Sequence, residues 1–195
     1  MKNRLSAGNK KLPRSTLIFN LPAIKTCPGA TAECKKHCYA LKAERMYPQV
    51  QPFRNQNFKL SKLNCFVELI SAEINSRKVE AVRIHESGDF YNQEYVNKWL
   101  EVTRLFPNIV FYAYTKSWWL DFEGRPNNFI VLLSSDNDIH KEEVYNQFDG
   151  IASVEGFDNP LKEEEYYHCP GDCKICSHCW TKKEDKKINV LFKRH

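Results

Sequence analysis

The sequence has no apolar run of eighteen or more residues, and its basic N-terminus is not followed by an apolar stretch. It therefore predicts neither a membrane-spanning helix nor a secretory signal, and we expect a cytoplasmic protein without a membrane partner. The sequence also lacks a Walker loop, a dinucleotide-binding glycine fingerprint and a nucleophile elbow. These absences argue against nucleotide hydrolysis, nicotinamide chemistry and serine esterase activity.

Acidic residues are scarce in the first third of the chain. Residues 1–62 carry 13 Lys and Arg against two acids, Glu33 and Glu44, which gives +11, whereas the remaining 133 residues carry 16 bases and 22 acids, which gives −6. A basic segment is typical of a nucleic-acid-binding surface. It can equally attract an anionic small molecule or offset the charge of a thiolate-ligated cluster. No nucleic-acid recognition motif accompanies the charge, so these alternatives stay open.

The chain contains eight cysteines, which is many for a protein of a reducing compartment. Such compartments keep thiols free, so metal binding explains these cysteines better than disulfides do. With 195 residues and 42% hydrophobic content, the chain is long enough for one full core. We expect a single domain over residues 1–195, with a basic arm or edge strand at 1–20. A partial β/α barrel with the N-terminal cysteine loop follows at 21–160, and a cysteine-rich segment with a last strand at 161–195.

Short apolar runs alternate with helical patterns after residue 80, which is typical of parallel β-α units. The pattern predicts an α/β fold with a short parallel sheet or partial (β/α) barrel of about five strands, at 81–85, 109–114, 129–133, 151–154 and 188–192. Two helices are predicted besides, one over 54–77 with Cys65 as a buried small residue, and one with the buried face Val96, Trp99, Leu100 and Thr103.

Polar residues accumulate directly after the predicted strands, in 85–89, 114–116 and 134–136 and at Glu155. Ligands of parallel α/β proteins bind at the carboxyl ends of strands, so this placement predicts a binding site there. The alternative is that these loops are polar only because loops face water.

The last four cysteines, Cys169, Cys173, Cys176 and Cys179, lie within eleven residues in a C-x3-C-x2-C-x2-C run. Cys₄ zinc sites more often use two C-x-x-C pairs separated by a dozen or more residues, whereas compact runs are typical of iron–sulfur clusters. We favour a 4Fe-4S cluster here and keep zinc as the alternative, with His168 and His178 as substitute ligands.

The first group has only three thiols, Cys27, Cys34 and Cys38, in a C-x6-C-x3-C run that leads into a helix with Thr31 as a candidate N-cap. Three ligands to a four-iron cluster leave one iron open to an exogenous ligand, which is where chemistry can take place. Alternatively, Cys65, His37 or a C-terminal cysteine supplies a fourth ligand and the site is structural.

Four stretches of the sequence, at 26–30, 38–40, 82–91 and 111–117, resemble the bacteriophage "gene product 88" domain family. The resemblance runs from about Thr26 to the C-terminus. It implies a viral or prophage origin, and hence the host cytoplasm, and leaves the activity open.

A more distant resemblance is to radical S-adenosylmethionine enzymes, in which a three-cysteine loop precedes a helix and a partial (β/α) barrel covers the cluster. It implies that Tyr39 packs near adenine and that Glu86, Ser87, Gly88 and Asp89 bind the amine and sulfonium, with Thr115 nearby. Lys116 or Arg83 would suit the cosubstrate's carboxylate. It gives Glu86, Asp89 and Lys116 as candidate catalytic residues. The cysteine spacing is wider than the C-x3-C-x2-C of that family.

Three hypotheses follow from these observations. The first is an enzyme that cleaves S-adenosylmethionine at the N-terminal cluster and uses the C-terminal cluster as an auxiliary centre. The second is a non-catalytic iron–sulfur protein, a redox sensor or a nucleic-acid-associated factor that uses its basic first third. The third is a zinc-stabilised structural protein.

Overall fold

The computed structural model describes residues 4–135, 142–182 and 186–194, with residue 142 described by its backbone alone. These ranges contain eight strands and six helices. The strands are β1 Ser6–Ala7, β2 Thr16–Phe19, β3 Ala81–Ile84, β4 Val110–Thr115, β5 Phe129–Ser134, β6 Gly150–Val154, β7 Tyr167–His168 and β8 Val190–Phe192. The helices are α1 Ala32–Lys36, α2 Tyr39–Met46, α3 Val50–Ser61, α4 Phe66–Asn75, α5 Gln93–Leu105 and α6 Glu142–Asn146.

The strands form one sheet in the order β1-β2-β3-β4-β5-β6-β8-β7. Every neighbouring pair is parallel except β1 with β2. The order from β2 to β6 follows the chain, so successive right-handed crossovers place the connecting helices on one face. The sheet is open, because the described residues pair neither β1 nor β7 with a further strand.

The two faces of the sheet have different coverings. On the helix face, Val82, Phe111 and Val131 pack with residues of α4 and α5, such as Phe66 and Trp99. The opposite face, which we call the cavity face, carries Arg83, Tyr112, Ile130, Ala152 and Val190 at the alternate positions. The cysteine-rich C-terminal segment packs on it through Cys169, Cys179 and Trp180.

The α/β class and the mostly parallel sheet are confirmed, but over the described residues the sheet has eight strands instead of about five and is not closed into a barrel. The five stretches predicted as strands are strands, with bounds shifted by at most two residues. Thr31 is the N-cap of α1, and the predicted face of α5 is buried. Strands β2 and β7 were not predicted as such. Asp136 lies outside the described residues.

The prediction for residues 1–20 was wrong in part. The edge position belongs to the two-residue β1, whereas β2 is an inner strand between β1 and β3 with all four residues buried. Leu5 and Leu12 are also buried, each 1% exposed. Positive charge in the segment concealed this packing, since its basic residues flank the buried leucines.

The predicted helix over 54–77 is two helices, α3 and α4, separated by a turn at 62–65. Cys65, predicted to be buried, is exposed and is the N-cap residue of α4. The apolar periodicity continues across the break because both helices turn buried residues to the same core, among them Leu60 and Phe66. None of the helices in the described ranges is long and apolar enough to cross a membrane.

Candidate functional site

A cavity of about 580 Å³ opens at the carboxyl ends of the parallel strands and continues over the cavity face. Its lining includes the loops that follow β2, β3 and β4, and the end of β8. Both cysteine-rich segments contribute to it, and it is lined by Cys27, Cys34, Cys38, Cys169, Cys173, Cys176 and Cys179. The sheet thus brings together two groups of cysteines that are more than 130 residues apart in the chain.

The N-terminal cysteine loop, residues 20–31, is fixed by local hydrogen bonds. The buried Thr26 hydroxyl donates to the carbonyl oxygen of Pro22 at 2.8 Å, and the Cys27 amide donates to the carbonyl oxygen of Ile24 at 3.1 Å. A Cβ on Gly29 would overlap the carbonyl oxygen of Lys116, so only glycine lets this loop approach the end of β4 so closely. The loop is therefore held against the sheet.

Two short helices position the other thiols of this group. Thr31 caps α1 by accepting a hydrogen bond from the Cys34 amide at 3.0 Å. Cys38 begins α2, where its Sγ accepts from the Leu41 amide at 3.4 Å. The next residue, Tyr39, donates its hydroxyl hydrogen to the carbonyl oxygen of Glu86 at 2.6 Å. The start of α2 is thus attached to the loop after β3.

The three N-terminal thiols interact electrostatically. Burial raises the pKa of Cys27 from 9.0 to about 12, and Asp89, Cys34 and Cys38 act in the same direction. A metal that binds Cys27 as a thiolate must therefore displace a tightly held proton.

A buried ion pair supports this loop from behind. Arg54 of α3 donates to Glu44 Oε1 of α2 at 2.9 Å, and the side chains are 8% and 5% exposed. Arg54 Nη1 also donates to the carbonyl oxygen of Ala40, and Glu44 accepts from the Ala23 amide at 2.8 Å. The pair thereby links the residues on either side of the cysteine segment.

The loop after β3, residues 85–89, carries most of the polar residues that were predicted to bind a cosubstrate. Its backbone is held by Asn20, whose Oδ1 accepts from the amides of Glu86 and Ser87 at 2.7 and 3.0 Å. Gly88 has a φ of 85°, and a Cβ there would lie 2.5 Å from Leu21 Cβ. Glu86 Oε1 accepts from Asn9 at 2.6 Å and faces Arg83 at 3.5 Å.

His85 adopts a φ of 72°, which is uncommon for a residue with a side chain. Its Nε2 lies 2.9 Å from the Tyr95 hydroxyl of α5, and its ring contacts Phe90. The imidazole therefore points to the helix layer. Burial, with a contribution from the positive charge of Arg83, lowers the pKa of His85 from 6.5 to about 3, so the ring is neutral near pH 7.

Asp89 ties the ends of β3 and β4 together. Oδ1 accepts from the Phe90 amide and the Thr115 hydroxyl, each at 2.7 Å, and Oδ2 accepts from the Lys116 amide at 2.8 Å. Burial raises the pKa of Asp89 from 3.8 to about 6, although these hydrogen bonds oppose the shift. Lys116 Nζ extends to the carbonyl oxygen of Ser134 at 3.1 Å.

The C-terminal cysteines are attached to both ends of the chain. The Cys169 amide donates to the carbonyl oxygen of Leu191 at 2.9 Å, and the Cys173 amide donates to that of Lys11 at 3.0 Å. Burial raises the pKa of Cys179 to about 12, while a hydrogen bond from the Tyr114 hydroxyl opposes the shift. Negative charge on Cys169 or Cys173 also raises the pKa of Cys179.

All the site residues predicted from the sequence line the cavity except Thr115, which is fully buried behind Asp89. Of the substitute ligands considered, His37 lines the cavity, whereas His178 stacks on the ring of Tyr167. Within the described parts of the chain, no three His, Cys, Asp or Glu side chains form a group that could hold a single metal ion.

Sequence reasoning missed Tyr112, which lines the cavity from β4 together with Tyr114. They alternate with Phe111 and Ala113 of the helix face, and this two-residue period in a run of aromatic residues was the available signal. Residues 109–114 were predicted only as a strand, so the Tyr112 hydroxyl was not assigned to the site.

The family model for "Gene product 88" matches residues 2–182. The chain belongs to this family. Two curated relatives are the Gene 88 proteins of the Mycobacterium phages D29 and L5, which are 35% and 36% identical to it over 102 residues. These matches cover 47% of the chain and 42% and 43% of the relatives, so the chain spans less than half the length of either. No solved structure gives a significant match. The bacteriophage resemblance of the sequence is thereby confirmed.

Proposed function

We propose that this member of the Gene product 88 family is an iron–sulfur enzyme that cleaves S-adenosylmethionine. In this proposal Cys27, Cys34 and Cys38 hold a 4Fe-4S cluster with an open iron, and the four C-terminal cysteines hold an auxiliary cluster. The observation that carries the proposal is that both cysteine groups line one cavity at the carboxyl ends of parallel strands. Purely structural metal sites have no need to share a cavity with each other.

The three thiols of the N-terminal group come from one short segment, the loop with Cys27, helix α1 with Cys34 and the start of α2 with Cys38, and negative charge on Cys34 or Cys38 raises the pKa of Cys27. Three thiols are the donor set of a 4Fe-4S cluster with one open iron. When bound, a reduced cluster of this kind supplies the one electron that breaks a carbon–sulfur bond of the sulfonium to give methionine and a 5′-deoxyadenosyl radical. The sequential strand order and the helices on one face suit the partial (β/α) barrel that this chemistry uses.

The chain's own residues would bind and orient the cosubstrate. Tyr39 and the 86–89 loop are joined by the hydrogen bond from the Tyr39 hydroxyl, so an adenine-contacting ring and an amine-binding carboxylate would lie side by side. Glu86 is the carboxylate for this role. Asp89 has both oxygens engaged by the chain, so we assign it to positioning the loop. Ser87, Gly88 and Thr115 hold the same loop, and Lys116 offers a cation to the carboxylate.

The first test is the metal content of the chain after anaerobic purification and reconstitution. The wild-type chain should contain about eight irons with matching sulfide. A Cys27/Cys34/Cys38→Ala variant and a variant with all four C-terminal cysteines replaced should each retain about four irons. Cys65→Ala is the matched control, since Cys65 is exposed and does not line the cavity. Zinc without iron in every variant would refute the proposal.

The second test measures 5′-deoxyadenosine after S-adenosylmethionine and a low-potential reductant are added. Cys34→Ala should abolish product formation, and Glu86→Gln should raise the cosubstrate concentration required for half-maximal rate. Cys65→Ala should leave both unchanged. Product formation by Cys34→Ala at the wild-type rate would show that the N-terminal group is not the catalytic centre.

The alternative is a non-catalytic iron–sulfur protein that binds nucleic acid through its basic first third. The +11 charge of residues 1–62 favours it. Part of that charge is used internally, as by Arg54 in its pair with Glu44. This alternative predicts binding to mixed-sequence DNA or RNA that weakens steeply as salt is added, with no deoxyadenosine formed.

A further inference from the structure

Two buried polar atoms on the cavity face have no partner among the described residues, namely Arg83 Nε and the Tyr112 hydroxyl. Tyr112 is 2% exposed, and both residues line the cavity. Buried polar groups without a partner are rare and costly, so each one requires an explanation. A single ligand that binds Arg83 and Tyr112 together would explain both unpartnered atoms.

The sheet register places the two groups side by side. Arg83 of β3 and Tyr112 of β4 are directly paired across the strands, and their side chains point to the same face. The positive charge of Arg83 lowers the pKa of Tyr112, and a charge on Tyr112 would raise the pKa of Arg83. Both can donate hydrogen bonds, and a guanidinium beside a hydroxyl is suited to a carboxylate or phosphate oxygen.

The surroundings hold the Arg83 side chain in place without satisfying it. Its guanidinium lies over the Tyr114 ring at 5.3 Å, and Nη1 faces Glu86 at 3.5 Å, which is at the limit of hydrogen-bond distance. Tyr112 is fixed by the Trp180 ring, whose centroid is 5.0 Å away. A pre-positioned donor pair of this kind avoids the entropy cost of ordering two side chains when a ligand binds.

The pair lies between the two cysteine groups. Glu86, which Arg83 faces, belongs to the loop attached to Tyr39 and so to the N-terminal group. On the other side, charge on Cys173 or Cys179 raises the pKa of Tyr112, and the positive charge of Arg83 lowers the pKa of both cysteines. We propose that Arg83 and Tyr112 form an anion subsite that binds a carboxylate or phosphate group of a small-molecule substrate between the two groups of cysteines.

This subsite does not depend on S-adenosylmethionine being the cosubstrate, so it can be tested separately from the proposed function. The experiment uses the reconstituted full-length chain and measures its thermal midpoint as inorganic phosphate replaces chloride at constant ionic strength. Phosphate should raise the midpoint of the wild-type chain. Tyr112→Phe should weaken the apparent phosphate affinity about tenfold, and Arg83→Gln should weaken it more.

Two controls make the result specific. Arg104→Gln removes a guanidinium that is exposed on α5 and donates to the Gly124 carbonyl oxygen, so it should retain the full phosphate effect. Equal phosphate effects in wild type, Arg83→Gln and Tyr112→Phe would overturn the proposal, as would no effect in the wild-type chain. If Arg83→Gln or Tyr112→Phe fails to fold, Arg83→Lys supplies the comparison, because it keeps the charge and loses the planar donor fork.

The same assay distinguishes the two sources of the anion. With S-adenosylmethionine at saturation, a persisting phosphate effect assigns the subsite to a second molecule, which is the outcome we expect. If saturating S-adenosylmethionine abolishes the phosphate effect in the wild-type chain, the cosubstrate's own carboxylate occupies the pair. That result would overturn the assignment to a substrate.

Discussion

Replacing Arg54 by methionine should destabilise the protein strongly, because it leaves the Glu44 carboxylate buried without its cation. Arg54 Nη1 lies 2.9 Å from Glu44 Oε1, and their side chains are 8% and 5% exposed. Removal of one partner of such a pair costs about 3–5 kcal/mol. A typical domain has only about 5–15 kcal/mol of stability, so the variant should be close to unfolding at physiological temperature.

The assay is urea denaturation followed by circular dichroism, together with the iron content of each cysteine group. Arg104→Met is the matched control and should cost less than about 1 kcal/mol, since its hydrogen bond is exposed. Adding Glu44→Gln to Arg54→Met should recover more than half of the loss, because the buried charge is removed while an acceptor for the Ala23 amide remains. A loss below about 1 kcal/mol for Arg54→Met would refute this reasoning.

Three further predictions concern the same site. Gly29→Ala should displace the N-terminal cysteine loop from the Lys116 carbonyl and lower its iron content, whereas Gly124→Ala, which meets no backbone, should not. In the metal-free chain, iodoacetamide should label the exposed Cys65 well before Cys27 or Cys179 at pH 7–9, because their pKa values of about 12 suppress the thiolate, as peptide mass spectrometry would show. The pKa of His85 is lower in the folded than in the unfolded chain, so the neutral ring contributes to the free energy of unfolding above pH 6.5. This contribution is lost as the pH falls towards 3. A His85→Asn variant should therefore lose less stability between pH 7 and pH 4 than the wild-type chain, by roughly 2–3 kcal/mol in urea titrations.

The sequence was sufficient for the parts of the fold that repeat a local pattern. The strands β3 to β6 and β8 are apolar runs between turn signals, and Thr31 occupies a helix start that its hydroxyl can satisfy. The structure also brings together polar residues that follow different predicted strands, since Glu86, Asp89 and Lys116 line one cavity. These features follow from periodicity and from the polarity of parallel strands.

The features that were missed depend on long-range packing. Strand β2 has only four residues and becomes an inner strand because β1 and β3 flank it, which no local window contains. The break between α3 and α4 was invisible because both helices bury the same side, and it decides the exposure of Cys65. Likewise, the pairing of Arg83 with Tyr112 requires the register between β3 and β4.

The cavity is completed only when the two ends of the chain pack together. The Lys11 carbonyl oxygen accepts a hydrogen bond from the Cys173 amide. Arg194 donates to Nε2 of His37, in the N-terminal cysteine segment, at 2.9 Å. The basic first third thus meets Glu86 and the cysteine-rich segment across the cavity. Thiolate-ligated clusters in both groups would add negative charge where Arg83 and Lys116 line the wall. The positive charge of this wall should therefore favour loading of either group, including in a variant that lacks the other group.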